Sequence, residues 1–415
     1  MTQLVVIVGA GQAGSEAAVA LRQGGFDGTI TIIGEEVHPP YRRPPLSKDM
    51  LAGETTPETL YIRPADAYRK AGLDLRLGTR VQEIDTKRQT IRLNHGDALP
   101  YDQLIIATGG QPRKLIIEGA DGAKNLHYLR TIDDALGIQR ELLAGRHLTI
   151  LGGGYIGLEV ASIAIGKGLR VTIIEAAPRL LARVTAAELS VFYESYHTAR
   201  GVEVRTQCTP VRLGASNGMI FEVHLSDGSS LATDLVIAGI GLQVDLELAK
   251  SAGLNTGHGI LVNQFGRTSV PNIYAAGDCT EFESKFLGRT VRIESVQNAT
   301  EQARSIALSI FGTAKPYDPV PWFWSNQYKL RLQMVGMPQG QDTVCSRGSV
   351  DGDSFAFFYL RDGIVIGAEA VNRPQEFMLA KQLVAGRARL DASALADETI
   401  PLKQLLERSR AAVAE

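Results

Sequence analysis

An α/β fold in which one strand–turn–helix unit occurs twice, followed by a smaller α+β domain, is what this sequence predicts. Three observations carry that reading. The order strand, glycine turn, helix, strand, acid appears first over residues 4–35 and again over residues 148–175. The first strand, Leu4–Val8, is an unbroken apolar run, as a strand covered on both faces requires. From about Pro316 the pattern changes to alternating strands, with Asp362-Gly363 marking a hairpin between residues 357–360 and 364–367.

The first expected strand, Leu4–Val8, feeds Gly9-x-Gly11-x-x-Gly14 and an alanine-rich helix reaching Arg22. A second strand, Thr29–Ile33, ends at Gly34-Glu35, and a proline-rich loop follows over residues 38–48. Short strands around 75–93 precede a buried strand at 104–107, which ends in Thr108-Gly109-Gly110. The pattern then restarts with a strand at 148–151, the turn Gly152-Gly153-Gly154-Tyr155-Ile156-Gly157, a helix over 158–165, and a strand at 171–174 ending in Glu175. Strands at 235–240, Ile260–Val262 and 272–276 come next, the last running into Gly277-Asp278. A helix from Ser295 through Ile310, a cluster of Trp322, Phe323 and Trp324, a helix over Pro374–Ala385 and a weakly structured tail complete the chain.

Each glycine turn has a chemical reading. The first glycine permits the tight turn, the second lets a pyrophosphate approach the backbone, and the third lets helix pack on strand. Helix N-terminal N–H groups then face the phosphate charge. Glu35 and Glu175 stand where a carboxylate accepts from adenosine ribose hydroxyls. The sequence therefore predicts two Rossmann-like dinucleotide-binding domains plus a C-terminal α+β domain. The expected boundaries are 1–112 with 246–315 for the first domain, 113–245 for the second and 316–415 for the third. A carboxylate bonds a free 2′-hydroxyl and repels a 2′-phosphate, so Glu175 favours NADH. Ala176-Ala177-Pro178 offers no immediate arginine for that phosphate, while Arg179 and Arg183 further along keep NADPH open. Two dinucleotide sites in one chain imply a relay from a nicotinamide to a flavin, in which alignment of the rings supplies much of the rate.

Composition narrows the alternatives. A formal net charge of −2 gives no global field to draw nucleic acid or membrane. Three cysteines, Cys208, Cys279 and Cys345, stand far apart without a C-x-x-C pair. That argues against a disulfide framework, a redox dithiol and a thiolate-held metal, and it suits packing thiols in a cytoplasmic protein. Cys279 alone keeps a functional reading, because it follows Asp278. No apolar run approaches the roughly 20 residues of a membrane span.

Several segments go further. Residues 101–109, with Ala107-Thr108-Gly109, resemble the A-T-G motif of the two-dinucleotide-binding flavoproteins, the pyridine nucleotide-disulfide oxidoreductase superfamily. Residues 268–278 resemble its second FAD motif. Residues 40–48, 295–299 and 321–325 are similar to the FAD-dependent ferredoxin reductases of bacterial oxygenase systems, of the putidaredoxin-reductase type. The resemblance runs over essentially the whole chain. It implies FAD in the first domain, held by Gly9, Gly11, Gln12, Ala13, Gly14, Glu35, Arg43, Lys48, Val81, Ala107, Thr108, Gly109, Arg130, Gly277, Asp278, Val296 and Trp324. It implies NADH in the second, lined by Gly152, Gly154, Tyr155, Ile156, Gly157, Glu159, Glu175, Arg183, Ile240, Gly241 and Glu294.

Among these, Asp278 is expected to bond a ribityl hydroxyl, and Val296 to offer a helix-end N–H to the flavin pyrimidine edge, where negative charge grows on reduction. Lys48, paired with Glu159, is expected near the isoalloxazine, where a cation raises the flavin potential. Trp324 shields the ring or lines the exit route for electrons, or else anchors the third domain's core with Trp322. Arg304, Lys329 and Arg331 are candidates to meet an acidic partner.

The function implied is an NADH-dependent reductase passing single electrons to a 2Fe-2S ferredoxin that feeds an oxygenase, a cytochrome P-450 monooxygenase ahead of a Rieske dioxygenase. A rubredoxin reductase, and a non-catalytic flavin sensor related to apoptosis-inducing factor, are the other readings. The expected state is a monomer or weak dimer. Glu175→Ala should lower NADH-over-NADPH selectivity about tenfold, the worth of one charged hydrogen bond of roughly 1.5 kcal/mol, with FAD still bound. Loss of FAD from that variant would mean that the two sites are assigned in reverse.

Overall fold

The computed structural model of the chain describes residues 3–414. Met1, Thr2 and Glu415, which the outer expected domains include, lie outside the described residues. The chain packs as two compact units. One comprises residues up to Arg43, Thr56–Gln111 and Leu242–Pro321; the other comprises Pro44–Thr55, Pro112–Gly241 and the residues from Trp322 onward.

The first unit is organised by a five-stranded sheet in the order Ile273–Ala275, Gln103–Ile106, Leu4–Val8, Thr29–Ile33, Leu73–Arg76. All four pairings are parallel. The helix Gln12–Gln23 shares a core with the helix Val296–Ile310. Small residues make that contact close: Ala17, Ala18 and Ala303 are fully buried, with Leu21 and Ile306 beside them. An antiparallel sheet of Val81–Asp85, Thr90–Leu93 and Ala98–Pro100 completes this part of the unit.

The second unit repeats the plan. Its five-stranded parallel sheet runs Val202–Arg205, Arg170–Ile174, His147–Leu151, Leu235–Ala238, Leu126–His127. The helix after the glycine turn spans Tyr155–Gly166, three residues earlier than expected, because it starts directly behind Gly154 as the first helix does behind Gly11. The strand expected over 235–240 stops at Ala238, since Gly239 turns across the first glycine of the motif: a Cβ on Gly152 would lie 2.5 Å from the Gly239 carbonyl oxygen.

The same unit contains a five-stranded antiparallel sheet, ordered Trp322–Gln327, Leu330–Gly336, Ile364–Val371, Ser354–Arg361, Thr343–Ser349. The expected hairpin is present, with longer strands than the apolar runs alone suggest. The helix Pro374–Ala385 is as expected. The tail is not weakly structured. It forms the helices Ala392–Ala396 and Leu402–Ala414, with Leu395, Leu402, Leu405 and Leu406 buried. Leu402, Leu405, Leu406 and Ser409 have helical spacing, the periodicity the sequence reading passed over. Buried Arg347 ties this segment down by donating to the carbonyls of Leu395, Asp397 and Ile400 at 3.1, 2.6 and 2.9 Å.

Packing thus groups the chain differently from the three-domain division, which stays a proposal. Residues 113–241 and those from Trp322 onward share buried polar contacts: Thr185 donates to Glu369, and His197 meets Gln327 at 2.8 Å. Pro44–Thr55 belongs with them, where Gln139 donates to the Met50 carbonyl at 2.9 Å.

Glu369 is fully buried, and burial pushes its carboxyl up to about 7 against the opposing hydrogen bonds from Thr185 and Tyr359, the latter at 2.5 Å. The folded chain therefore binds a proton there that the unfolded chain releases near 4.5. Stability is highest below that value and falls as pH rises toward 7. Relative to Glu369→Gln, the wild type should lose about 3 kcal/mol between about pH 5 and about pH 8, at 1.36 kcal/mol per pKa unit. Parallel melting curves for the two proteins across that range would contradict this.

Candidate functional site

In the first unit the turn after Leu4–Val8 is closed by backbone contact. A Cβ on Gly9 would lie 2.2 Å from the Ala107 carbonyl oxygen, and one on Gly14 only 1.9 Å from the Gly9 carbonyl oxygen. Gly9 has φ +118, open to glycine and strained for other residues. Gly11 differs. It N-caps the helix in an extended conformation without a side-chain cap, and a Cβ there would meet nothing within 4 Å. The helix start is therefore bare, and no acidic residue occupies its first turn. That geometry fits a pyrophosphate seated on the helix N-terminus.

Other expected FAD residues gather in this unit. Gly277 approaches the helix start, where its Cβ would lie 3.2 Å from that of Ala13, and its N–H donates to Gln302 at 2.8 Å. Asp278 follows it, half-buried. Glu35 lies exposed at the end of its strand, with Arg80 at 3.3 Å; Arg80 also reaches Asp245 at 3.6 Å. Arg43 donates to Glu36 at 2.7 Å and to the Tyr41 hydroxyl at 2.8 Å. Gln12 reaches Thr300 at 3.3 Å, and Val81 is buried in the small antiparallel sheet. Thr108 is exposed and Gly109 half-buried. Val296 opens its helix behind Ser295, whose hydroxyl caps the Asn298 N–H at 3.0 Å. Glu294, expected at the nicotinamide, also lies in this unit and pairs with Arg292 at 2.6 Å. Burial pushes the Cys279 thiol up to about 11, which leaves it a packing group.

The second unit holds an equivalent cradle. Gly152 has φ +107, a Cβ on Gly157 would lie 2.3 Å from the Gly152 carbonyl oxygen, and Gly154 opens on empty space. Glu175 is fixed here, accepting from the Gly153 N–H at 2.6 Å and the Ala177 N–H at 2.7 Å. Those bonds set its carboxylate beside the helix start with further lone pairs available. Arg183 is exposed beside Gly241, its nitrogens 3.9 Å from a Cβ built there. Ile240 packs against the core of this unit, and Ile156 is exposed. Arg179 is committed to its own loop, donating to the carbonyls of Ala182, Thr185 and Ala186.

Lys48, Arg130 and Trp324, expected at the FAD, lie in the second unit. Lys48 Nζ stands 2.7 Å from Glu159, as expected, and two serines join the pair. Ser47 donates to the same carboxylate oxygen and Ser325 to the other at 2.6 Å. The sequence reading assigned neither a role, because a lone serine beside Lys48 or Trp324 carries no signal of its own. The Arg130 N–H donates to Asp134 at 3.0 Å. Trp324 is half-buried against Trp322 at 5.6 Å, and Trp322 rests on Phe377 with Lys381 Nζ 4.6 Å from its ring. Tyr155 meets Phe323 at 5.0 Å and donates to the Met334 sulfur. Arg304 pairs with Glu16 and Lys329 with Asp353, which gives both bases a local role; Arg331 is exposed.

Among the described residues, no group of three or more His, Cys, Asp or Glu side chains is placed to hold a metal. Nor is any helix among them long and apolar enough to cross a membrane.

Comparison with known proteins agrees with this geometry. Residues 3–303 match the pyridine nucleotide-disulphide oxidoreductase family, and residues 322–406 match the reductase C-terminal family. The chain is 45% identical over 411 residues to putidaredoxin reductase of Pseudomonas putida, covering 98% of this chain and 97% of that one. Its structure matches the reductase in the covalent putidaredoxin reductase–putidaredoxin complex with a TM-score of 0.95, 45% identity and 99% of both chains covered. It also matches the ferredoxin reductase for the CYP199A2 system of Rhodopseudomonas palustris, with a TM-score of 0.94, 39% identity, and coverage of 97% of this chain and 99% of that one.

The two kinds of cradle glycine should behave differently. Gly11→Ala should melt within about 1 kcal/mol of the wild type yet bind FAD at least tenfold more weakly, because its methyl occupies ligand space. Gly14→Ala should fail to fold, since its methyl meets a backbone carbonyl that cannot move aside. An unchanged FAD dissociation constant in Gly11→Ala would contradict the cradle reading.

Proposed function

We propose that this chain, which belongs to the pyridine nucleotide-disulphide oxidoreductase family, carries electrons from NADH through FAD to a 2Fe-2S ferredoxin. The chain is an FAD-dependent oxidoreductase. When bound, FAD accepts two electrons as hydride and can release them one at a time. The chain's own residues bind, orient and tune.

The observation that carries the proposal is the pair of equivalent cradles, each with a bare helix start and a carboxylate at the end of the neighbouring strand. In this reading the first cradle takes FAD, with Gly9, Gly11 and Gly14 under the pyrophosphate and Glu35 on the ribose. The second takes NADH. Glu175, held by Gly153 and Ala177, is set to accept from a free 2′-hydroxyl. Arg179 is engaged with the carbonyls of its own loop, whereas Arg183 is exposed. Lys48 tunes the flavin, with Glu159 and the two serines fixing its place.

Similarity to a reductase that forms a complex with putidaredoxin supports a ferredoxin as acceptor. Similarity to the reductase for the CYP199A2 system supports a cytochrome P-450 as the terminal oxygenase. The chain acts as a monomer or weak dimer in the cytoplasm, in keeping with its three free thiols.

NADH should give kcat/KM for ferricyanide reduction at least tenfold above NADPH, a difference of about 1.4 kcal/mol in transition-state binding. Cytochrome c reduction with NADH should require added 2Fe-2S ferredoxin. A preference for NADPH would overturn the Glu175 assignment. Turnover with ferricyanide but with none of a panel of ferredoxins, drawn from P-450 and Rieske systems, would overturn the acceptor.

A further inference from the structure

The Lys48–Glu159 pair is the near end of a longer chain of contacts within the second unit. Ser325, whose Oγ is 2.6 Å from Glu159 Oε1, also lies 3.2 Å from Gln327 Nε2. Gln327 Oε1 lies 2.8 Å from His197 Nε2, and His197 Nδ1 lies 3.2 Å from the Tyr328 hydroxyl. Ser325 and His197 are fully buried and Gln327 is 1% exposed, so water does not substitute for any partner. Tyr328 is half-buried at the turn between Trp322–Gln327 and Leu330–Gly336.

Donor counting gives this chain one direction. A serine hydroxyl has one proton, and the carboxylate can only accept, so Ser325 donates to Glu159. Its oxygen must then accept from Gln327, which turns the amide N–H toward Ser325 and the amide carbonyl toward His197. His197 therefore carries its proton on Nε2 and accepts from Tyr328 on Nδ1. Burial, and then the charge of Arg200 on the next turn, lower the imidazole pKa to about 4 despite the Gln327 bond, so the ring is neutral and able to accept. Arg200 is itself held over the rings of Tyr196 and Tyr328, at 3.3 and 5.2 Å.

We propose that His197 and Gln327 are positioning residues for the Lys48–Glu159 pair, acting through a one-way hydrogen-bond relay that ends on the Glu159 carboxylate. Without His197, the Gln327 amide is free to flip and present its carbonyl to Ser325. Ser325 then turns its proton away from Glu159. The carboxylate beside Lys48 is less neutralised, the net positive field near Lys48 falls, and the potential of the nearby flavin falls with it. This rests on the reading that Lys48 faces the flavin, and the test separates the two.

Two measurements on the FAD-loaded protein decide the matter. Long-range proton–nitrogen NMR should show His197 neutral with its proton on Nε2, and Glu159→Gln should shift the His197 ring resonances through the relay. A proton on Nδ1, or resonances unmoved by Glu159→Gln, would overturn the relay whatever the flavin does. The second measurement is the flavin midpoint potential. His197→Leu and Gln327→Leu should each lower it by about 30 mV, a tenfold change for a two-electron couple. His197→Gln keeps an N–H donor at the Nε2 position and should restore the wild-type value. If His197→Leu does not fold, Gln327→Leu and the NMR arm still decide. Lys48→Met is the reference. Wild-type potentials in the leucine variants, with Lys48→Met lowered, would overturn the relay's influence on Lys48. An unshifted Lys48→Met would instead overturn the placement of Lys48 at the flavin.

Discussion

Backbone meeting backbone at the first strand-to-helix turn is the constraint on which the rest depends. Gly14 sits so close over the Gly9 carbonyl, and Gly9 over that of Ala107, that a single added methyl has no place. Helix Gln12–Gln23 can therefore start directly above the end of the sheet. Its uncapped N–H groups face outward, and Glu35 ends the neighbouring strand. The second unit solves the same problem with Gly157 over Gly152 and Gly152 against Gly239. In both, the Gly N–H at the turn donates to the last residue of the next strand, Gly9 to Ile33 and Gly152 to Ile174, each at 2.8 Å. Two bare helix ends in one chain, of the kind suited to an anion, are a consequence of this packing.

What distinguishes one cradle from the other lies outside the glycines. Around the first, the exposed Glu35 carboxylate is shared with Arg80 at 3.3 Å. Around the second, Glu175 is pinned by two backbone donors, which suits a site that must discriminate a hydroxyl from a phosphate at each binding event. The second unit also carries the buried Lys48–Glu159 pair, with side chains 15% and 4% exposed. Burial of a paired charge costs desolvation that one ion contact does not always offset. Ser47 and Ser325 supply the additional hydrogen bonds that make the arrangement tenable.

Much of this was legible in the sequence because the informative residues act through the backbone. Glycine spacing, apolar runs and a terminal acid give the repeat, and the strands and helices stand within a few residues of their expected places. The C-terminal helix Leu402–Ala414 was missed because its apolar stripe is short and preceded by polar turns, although Leu402, Leu405 and Leu406 are all buried. The serines on Glu159 and the His197–Gln327 contact were not legible at all. Their partners are separated by 112, 166 and 130 residues, and only folding brings them together. Lys48 and Arg130 were assigned to the FAD by family resemblance; they pack in the second unit, and their place at the flavin is a proposal.

Two separate dinucleotide sites are the centre of the account. Calorimetric titration of the yellow, FAD-loaded chain with ADP-ribose tests them directly, since that ligand carries the adenosine and pyrophosphate that both cradles are proposed to hold. With two independent sites, titration saturates at one ADP-ribose per chain with the flavin absorbance still on the protein. Release of flavin by the titrant, or the absence of any binding heat while FAD stays bound, would contradict it.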